Sequence, residues 1–231
     1  MYDNFVVEGD KIATEIIFDS DLEIESIFAL KSWLSFHISS LEKYQELIQV
    51  VNEKELSRIS GLKTPNQVLV VCKKPVYSLD FNSINNNLTL FLDNIQNPGN
   101  MGSILRIADW FGIPYVFCSE NSVELYNPKV IQASMGAFIR VKSVVVSFGG
   151  LREKLPDLPC LCTVLNGENV YSAQVPKKGI LVLGNEGAGI APEILAQATH
   201  KVSIPKDKKG GAESLNVAVA AGIVCAALKC K

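Results

Sequence analysis

The feature that most constrains the fold is a series of short, mostly apolar segments in residues 88–204, separated by stretches with helical periodicity. Six strands are predicted, at 88–92, 115–118, 141–146, 161–165, 180–183 and 202–204. Strands that are apolar on both faces and alternate with helices form parallel sheets with helices on both faces. The fold class is therefore α/β, and a ligand is expected at the carboxyl ends of the strands.

Residues 1–76 carry a second, smaller α/β pattern. A helix is predicted over 10–18 and strands at 24–30, 47–51 and 68–72, and Asn52 to Glu55 has the spacing of a capping box. Residues 77–87 contain four asparagines and few apolar side chains, which is typical of a linker. We predict an N-terminal domain at 1–76, a linker at 77–87 and a second domain at 88–231.

No apolar run reaches the roughly 18 residues that a membrane span needs, and the first residues lack the pattern of a signal peptide. The six cysteines lack paired spacing, and Cys160 and Cys162 have too few potential ligands near them for zinc. These features predict a cytoplasmic protein with reduced thiols, no metal and no membrane contact.

Charge distinguishes the two parts of the chain. Residues 1–76 have a net charge of −4 and residues 77–231 of +2, with an overall isoelectric point of about 5.8. This balance counts mildly against nucleic-acid binding, since such proteins are often basic. Lysines are nevertheless clustered at 73–74, 177–178 and 206–209. Each cluster could also be an ordinary solvated surface.

The first unusual loop follows the strand at 88–92. Pro98 and Gly99 form a predicted turn, and Asn100 is a candidate cap of the helix that follows. Arg106 lies off the apolar face of that helix, and a cation so near a helix N-terminus is unfavourable for the helix dipole. Spacing alone leaves two interpretations open for Arg106: anion binding, or a surface ion pair.

Two further loops follow later strands. Residues 183–190 contain three glycines around Glu186, without the spacing of a dinucleotide or P-loop motif, so a plain glycine-rich turn is the alternative to a ligand loop. Residues 203–216 lead into an uncharged helix rich in small residues, for which Ser214 is the predicted cap. That helix is expected in the core or at a subunit interface.

Taken together, the three loops resemble the motifs of the SpoU (TrmH-like) family of RNA ribose 2′-O-methyltransferases, in the SPOUT superfamily. The first motif runs from Asn97-Pro98 through Asn100, Gly102 and Arg106 to Phe111-Gly112. The second is Leu183-Gly184-Asn185-Glu186-Gly187-x-Gly189-Ile190. The third is Ser203-Ile204-Pro205 followed by Glu213-Ser214-Leu215-Asn216-Val217-Ala218. All three occur in order, which makes the resemblance specific, and residues 5–74 resemble the family's substrate-binding domain.

The resemblance implies S-adenosylmethionine as cofactor, a deep trefoil knot and a homodimer formed through the C-terminal domain. It also implies that structured RNA is the partner, with ribosomal RNA favoured over transfer RNA. The implied cofactor-binding residues are Leu165, Asn166, Gly167, Leu183, Gly184, Ile204 and Leu215. The implied catalytic residues are Arg106, Asn100, Glu186, Ser214 and Asn216.

The reaction implied is attack of a ribose 2′-hydroxyl on the sulfonium methyl group. A guanidinium group keeps its proton in proteins, so Arg106 is better suited to clamp a phosphate than to act as a base. Asn100 and Glu186 are expected to orient Arg106. The three lysine clusters are the expected contacts for RNA phosphates.

Two other functions compete with this one. An RNA-binding or assembly protein could keep the fold without catalysis, although retention of all five implied catalytic residues argues against it. A methyltransferase for small molecules or proteins is disfavoured because residues 5–74 resemble an RNA-binding domain. The sequence does not identify the nucleotide or any link to antibiotic resistance, because specificity depends on loops and shape.

Overall fold

The computed structural model describes residues 3–38 and 41–230. The strands are β1 (Asn4–Glu8), β2 (Ile24–Leu30), β3 (Ile48–Val51), β4 (Val68–Lys73), β5 (Leu88–Leu92), β6 (Tyr115–Cys118), β7 (Lys142–Val145), β8 (Cys160–Asn169), β9 (Gly179–Leu183) and β10 (His200–Ser203). The helices are α1 (Asp10–Asp19), α2 (Lys31–His37), α3 (Glu53–Ile59), α4 (Phe81–Asn86), α5 (Pro98–Trp110), α6 (Pro128–Ser134), α7 (Ala137–Arg140), α8 (Phe148–Lys154), α9 (Pro192–Leu195) and α10 (Val217–Lys229). A 3₁₀ helix spans Glu42–Leu47.

The larger sheet has six strands in the order β10-β8-β9-β5-β6-β7, and every neighbouring pair is parallel. Successive side chains of a strand alternate between its two faces. On β5, Leu90 belongs to an apolar cluster that includes residues of α5, α6, α7 and α10, whereas Phe91 belongs to a second cluster that includes residues of α4, α8 and α9. The predicted α/β class, with helices on both faces of a parallel sheet, is confirmed.

The smaller sheet lies in residues 4–73 and has the order β1-β4-β2-β3. Strand β4 is antiparallel to both β1 and β2, and β2 is parallel to β3. Helix α3 begins with the predicted capping box, because Asn52 and Glu55 each accept the other's backbone N–H. Strand β1 and helix α2 were not predicted.

The smaller sheet packs against α6 and α7 of the larger unit. The ring of Phe5 on β1 lies 4.7 Å from that of Tyr126 and 5.7 Å from that of Phe138. One continuous apolar core therefore runs between the two sheets. Arg140 reinforces this contact through ion pairs with Glu15 of α1 and Asp109 of α5.

Residues 77–87, predicted as a linker, contain helix α4. Its cap is Asp80, whose carboxylate accepts from the backbone N–H of Ser83 at 3.1 Å. The backbone N–H of Asp80 donates to the hydroxyl of Tyr115 at 3.0 Å, and Ile84 is fully buried. The burial of Ile84 and the cap at Asp80 therefore hold this segment in place, although Asn82, Asn85 and Asn86 are exposed.

None of the helices in residues 3–38 and 41–230 has the length and apolarity needed to cross a membrane. Nor do those residues contain a group of three or more histidine, cysteine or acidic side chains able to hold a metal ion. Burial raises the pKa of the Cys72 and Cys225 thiols to about 12. These two cysteines are therefore neutral, unreactive thiols at physiological pH.

Candidate active site

The ends of β5 and β9 are joined by three hydrogen bonds. The backbone N–H of Asp93 donates to the carbonyl of Leu183 at 2.9 Å, and the buried Asp93 carboxylate accepts from the N–H of Ala191 at 2.7 Å. The Asn185 side chain donates to the carbonyl of Asn94 at 2.9 Å. The glycine-rich loop is therefore held at both ends against the segment that follows β5.

Backbone contact within the glycine-rich loop is too close for a side chain at Gly184. A Cβ atom there would lie 2.4 Å from the carbonyl carbon of Gly189 and 2.5 Å from the nitrogen of Ile190. Asn185 and Gly189 exchange backbone hydrogen bonds at 3.0 and 2.9 Å. The loop is a closed turn built from backbone, with Glu186 exposed at its outer side.

Three of the predicted catalytic residues form one hydrogen-bonded chain. The Asn216 side chain donates to Oδ1 of Asn100 at 2.9 Å, and Nδ2 of Asn100 donates to Oε1 of Glu186. These residues precede α10, begin α5 and follow β9, respectively. The chain therefore joins all three loops, although Asn100 lies 86 residues before Glu186 and 116 residues before Asn216 in the sequence.

Both predicted helix caps in these loops were wrong. Asn97, not Asn100, caps α5 by accepting from the N–H groups of Gly99 and Asn100 at 2.8 and 3.2 Å. Asn216, not Ser214, caps α10 by accepting from two backbone N–H groups at 3.0 and 3.3 Å. Because capping uses Asn97 in the first loop, the side chain of Asn100 is free to bind Glu186 and Asn216.

The implied cofactor-binding residues lie around the same strand ends. Between its pairs Cys162–Lys201 and Glu168–Val202, β8 loops out five residues that include Leu165, Asn166 and Gly167. The hydroxyl of Ser203 donates to the carbonyl of Gly167 at 2.8 Å. Leu183 is buried at the end of β9, Ile204 is half-buried after β10, and Leu165 and Leu215 are exposed.

Arg106 and Ser214 do not join the hydrogen-bonded chain. Both are exposed, and neither side chain has a hydrogen-bond or ion-pair partner among residues 3–38 and 41–230. In this structure Asn100 and Glu186 bind each other and neither contacts Arg106, so their expected role in orienting Arg106 stays a prediction. Arg106 nevertheless lies off the apolar face of α5, as predicted, one turn before the exposed Trp110.

The lysine cluster at 73–74 forms ion pairs within the protein. Lys73 pairs with Glu23, and Lys74 pairs with Glu124. The expected role of this cluster in binding RNA phosphates is thus not supported, because carboxylates already neutralise its charge.

The sequence did not assign a role to Asp93, Asn94 or Asn185, which hold the loops together. The sequence nevertheless contained a signal for them, because Asp93 and Asn94 directly follow the mostly apolar strand β5 at its carboxyl end. Asn94 also has a positive φ of 56°, which asparagine tolerates better than most residues. A buried carboxylate at such a position indicates a hydrogen-bonding role.

Comparison with known proteins identifies relatives of both parts of the chain. A family model described as the SpoU rRNA methylase family matches residues 87–226, more than half of the chain. The 23S rRNA (guanosine(2553)-2′-O)-methyltransferase RlmP of Bacillus subtilis is 29% identical over 178 residues, which are 76% of this chain and 69% of that protein.

Two solved structures of other proteins are similar to this chain over almost its whole length. A protein from Porphyromonas gingivalis assigned to the TrmH family of RNA methyltransferases has a TM-score of 0.85 and 33% identity, covering 98% of this chain and 90% of the other. An AdoMet-bound rRNA methyltransferase from Sinorhizobium meliloti has a TM-score of 0.84 at 23% identity, with 98% and 87% covered. At 23% identity, the similarity to the Sinorhizobium meliloti protein shows a shared fold alone.

Proposed function

The chain belongs to the SpoU rRNA methylase family, and from that premise we propose that it methylates a ribose 2′-hydroxyl in structured RNA, with ribosomal RNA the favoured substrate. It is an RNA 2′-O-methyltransferase that uses S-adenosylmethionine. The observation that carries the site assignment is the hydrogen-bonded chain Asn216–Asn100–Glu186, which joins three loops at the strand ends.

The residues at the strand ends fit the cofactor. A neutral adenine and an amino-acid tail suit a pocket of backbone groups, and Gly184 and Gly167 lie where a Cβ atom would touch backbone at 2.4 and 2.7 Å. Leu165 and Leu215 expose apolar side chains at the same edge, which a bound ring can cover. Leu165, Asn166, Gly167, Leu183, Gly184, Ile204 and Leu215 would hold S-adenosylmethionine.

When bound, S-adenosylmethionine would supply a methyl group to the ribose 2′-oxygen: a C–O bond would form as the C–S bond breaks, the sulfur would leave as a neutral thioether, and the hydroxyl proton would go to water or phosphate. Arg106 would bind a phosphate beside the reacting ribose with its planar guanidinium and so position the hydroxyl. Asn100, Glu186 and Asn216 would hold the three loops in the geometry that Arg106 and the cofactor require. Ser214 would contact the substrate from the loop before α10.

Three further properties belong to this proposal. The trefoil knot implied by the resemblance would lie where the loop of β8 packs on β10. Residues 1–76 would form the substrate-binding domain, attached through 77–87 to the methyltransferase domain at 88–231. The enzyme would act in the cytoplasm, which suits its buried free thiols Cys72, Cys118, Cys160, Cys162 and Cys225.

We also propose that two copies associate through the C-terminal domain. The supporting observation is that α5 and α10 pack against each other and that each exposes a large apolar side chain. Trp110 is 84% exposed and Val219 51% exposed on these helices. Exposed apolar patches of this kind are typical of protein–protein interfaces.

The test is transfer of a tritiated methyl group from S-adenosylmethionine to 23S ribosomal RNA and to transfer RNA, each supplied as an unmodified transcript. Methylation of a 2′-hydroxyl blocks alkaline cleavage at that nucleotide, so the label should appear in an alkali-resistant dinucleotide. We expect label in ribosomal RNA.

Each other result has a defined meaning. Label in alkali-sensitive mononucleotides would indicate base methylation and contradict the proposed reaction. Label in transfer RNA alone would reverse the substrate preference. Cofactor binding without transfer to either RNA would favour the non-catalytic assembly protein.

A further inference from the structure

The lysines outside the catalytic loops differ in whether their charge is available. Lys73 and Lys74 each form an ion pair with a glutamate. To bind a phosphate, either lysine would first have to give up that partner. This cluster therefore offers little net attraction to a polyanion.

By contrast, the charges of Lys206, Lys208 and Lys209 are not neutralised by a partner in the described part of the chain. All three are exposed, and none of their amino groups has a hydrogen-bond or ion-pair partner in the described part of the chain. The one acidic residue among them, Asp207, accepts a hydrogen bond from the backbone N–H of Lys209 at 2.8 Å. Residues 206–209 thus present a net charge of +2 to solvent.

Both ends of the segment that carries these lysines are attached to the candidate active site. At one end the hydroxyl of Ser203 donates to Gly167 in the loop of β8, at 2.8 Å. At the other end the side chain of Asn216 donates to Asn100 at 2.9 Å. The segment that carries the three lysines is therefore tethered at one end to the implied cofactor-binding loop and at the other to the first turn of α5.

We infer that Lys206, Lys208 and Lys209 bind the phosphates of the RNA strand next to the methylated ribose. This inference rests on the proposed function and names the surface that holds its substrate. Lysine is a compact charge on a flexible stem, which suits phosphates whose positions vary along an unpaired strand. The contacts add affinity without selecting a base, since phosphates carry no sequence information.

A matched pair of variants tests the inference. Lys208→Gln/Lys209→Gln removes two unpaired charges beside the site, and Lys73→Gln/Lys74→Gln removes two paired charges elsewhere, so the net charge changes equally. Binding of a fluorescent 23S ribosomal RNA transcript is measured between about 50 and 200 mM salt. The slope of log affinity against log salt should fall by about 1.4 in the first variant, at about 0.7 per phosphate contact on single-stranded RNA. The control slope should equal that of the wild type.

Three results would overturn the inference: an unchanged slope for Lys208→Gln/Lys209→Gln, an equal loss in both variants, or a wild type that binds no transcript. Calorimetry with S-adenosylmethionine shows whether each variant is folded at the cofactor site. Failure of the proposed function would give a different result: the wild type would bind cofactor and RNA but would transfer no methyl group.

Discussion

Four asparagines in the candidate active site have different roles that depend on their position. Asn97 and Asn216 cap helices with Oδ1, and Asn185 closes the glycine-rich turn with the same atom. Asn100 differs because both ends of its amide bind side chains, accepting from Asn216 and donating to Glu186. An amide can do this because it carries a donor and an acceptor on one planar group. Aspartate at position 100 would lose the donor and repel Glu186.

Replacing Arg106 with alanine should remove methyl transfer and leave the cofactor site intact. Arg106 has no partner within the described chain, so the change should cost little stability. Loss of a positioning contact at a reacting group lowers rates by about 100-fold or more. Steady-state methyl transfer and calorimetry with S-adenosylmethionine measure the two effects. Arg106→Lys, which keeps the charge but not the planar fork, should give an intermediate rate; lost cofactor affinity in Arg106→Ala would contradict the assignment.

Asp93→Asn should weaken cofactor binding although Asp93 is buried behind the loop rather than in it. The Asp93 carboxylate holds the N–H of Ala191 at 2.7 Å and so fixes the far end of the turn around Gly184. A hydrogen bond to a charged acceptor contributes about 1 kcal/mol more than a neutral one, which corresponds to several-fold in affinity. We expect a several-fold rise in the dissociation constant for S-adenosylmethionine by calorimetry. Unchanged affinity with an unchanged unfolding midpoint would show that this bond does not position the loop.

At the scale of elements, Gly184 and Gly187 of the glycine-rich turn should respond differently to replacement by alanine. In Gly184→Ala the new Cβ would lie 2.4 Å from backbone of Gly189, so the turn must open. Overpacking of this kind destabilises by about 1–3 kcal/mol. Urea unfolding should show that loss, and calorimetry should show little or no binding of S-adenosylmethionine. Gly187→Ala is the control, since its Cβ would make an ordinary contact of 3.6 Å with Asn185, and equal behaviour of the two variants would refute the argument.

How much of each element could be predicted depended on whether local sequence decides it. Strands β5 and β6 were predicted at their observed bounds, because runs apolar on both faces have few other stable environments. The caps of α5 and α10 were not predicted correctly. Each loop holds two residues, at most three positions apart, that could cap the helix, and tertiary hydrogen bonds decide between them. Strand β8 extends to Asn169 rather than ending near 165, because its second half pairs with β10, a contact that no local pattern shows.

The side-chain contacts of the candidate site also depend on tertiary structure that the local sequence does not show. The motif resemblance placed Asn100, Glu186 and Asn216 in one site, and they do form one chain. The resemblance could not show that Glu186 binds Asn100 in place of Arg106, since side-chain partners depend on distances of a few tenths of an ångström. The pairing of Lys73 and Lys74 with glutamates 50 residues away is equally invisible in sequence.

At the scale of the whole molecule, the two sheets are not independent bodies joined by a flexible linker. Arg140 binds Glu15 of the smaller unit and Asp109 of α5, the helix that also carries Arg106. Phe5 packs on Tyr126 and so extends one core through both units. The orientation of the smaller sheet relative to α5 is therefore fixed by packing as well as by charge. This arrangement suits an enzyme that must hold a large substrate at a fixed distance from one helix.

The proposed dimer provides the last prediction. Trp110 projects from α5 and is 84% exposed, which leaves a large apolar side chain in water unless a second copy covers it. In a two-fold interface the residue is buried twice. Trp110→Glu would replace two apolar burials, each worth about 1.5–3 kcal/mol, with two charges, and should weaken the dimer by about 100-fold or more.

Sedimentation velocity over a range of concentrations measures this effect. Phe36→Glu is the matched control, because Phe36 is an aromatic residue that is 86% exposed on α2, away from α5 and α10. We expect the wild type and Phe36→Glu to sediment as dimers and Trp110→Glu as a monomer at micromolar concentration. A monomeric wild type would refute the dimer itself. A dimer that persists in Trp110→Glu would place the interface on another surface, and dissociation in Phe36→Glu would place it on the smaller unit.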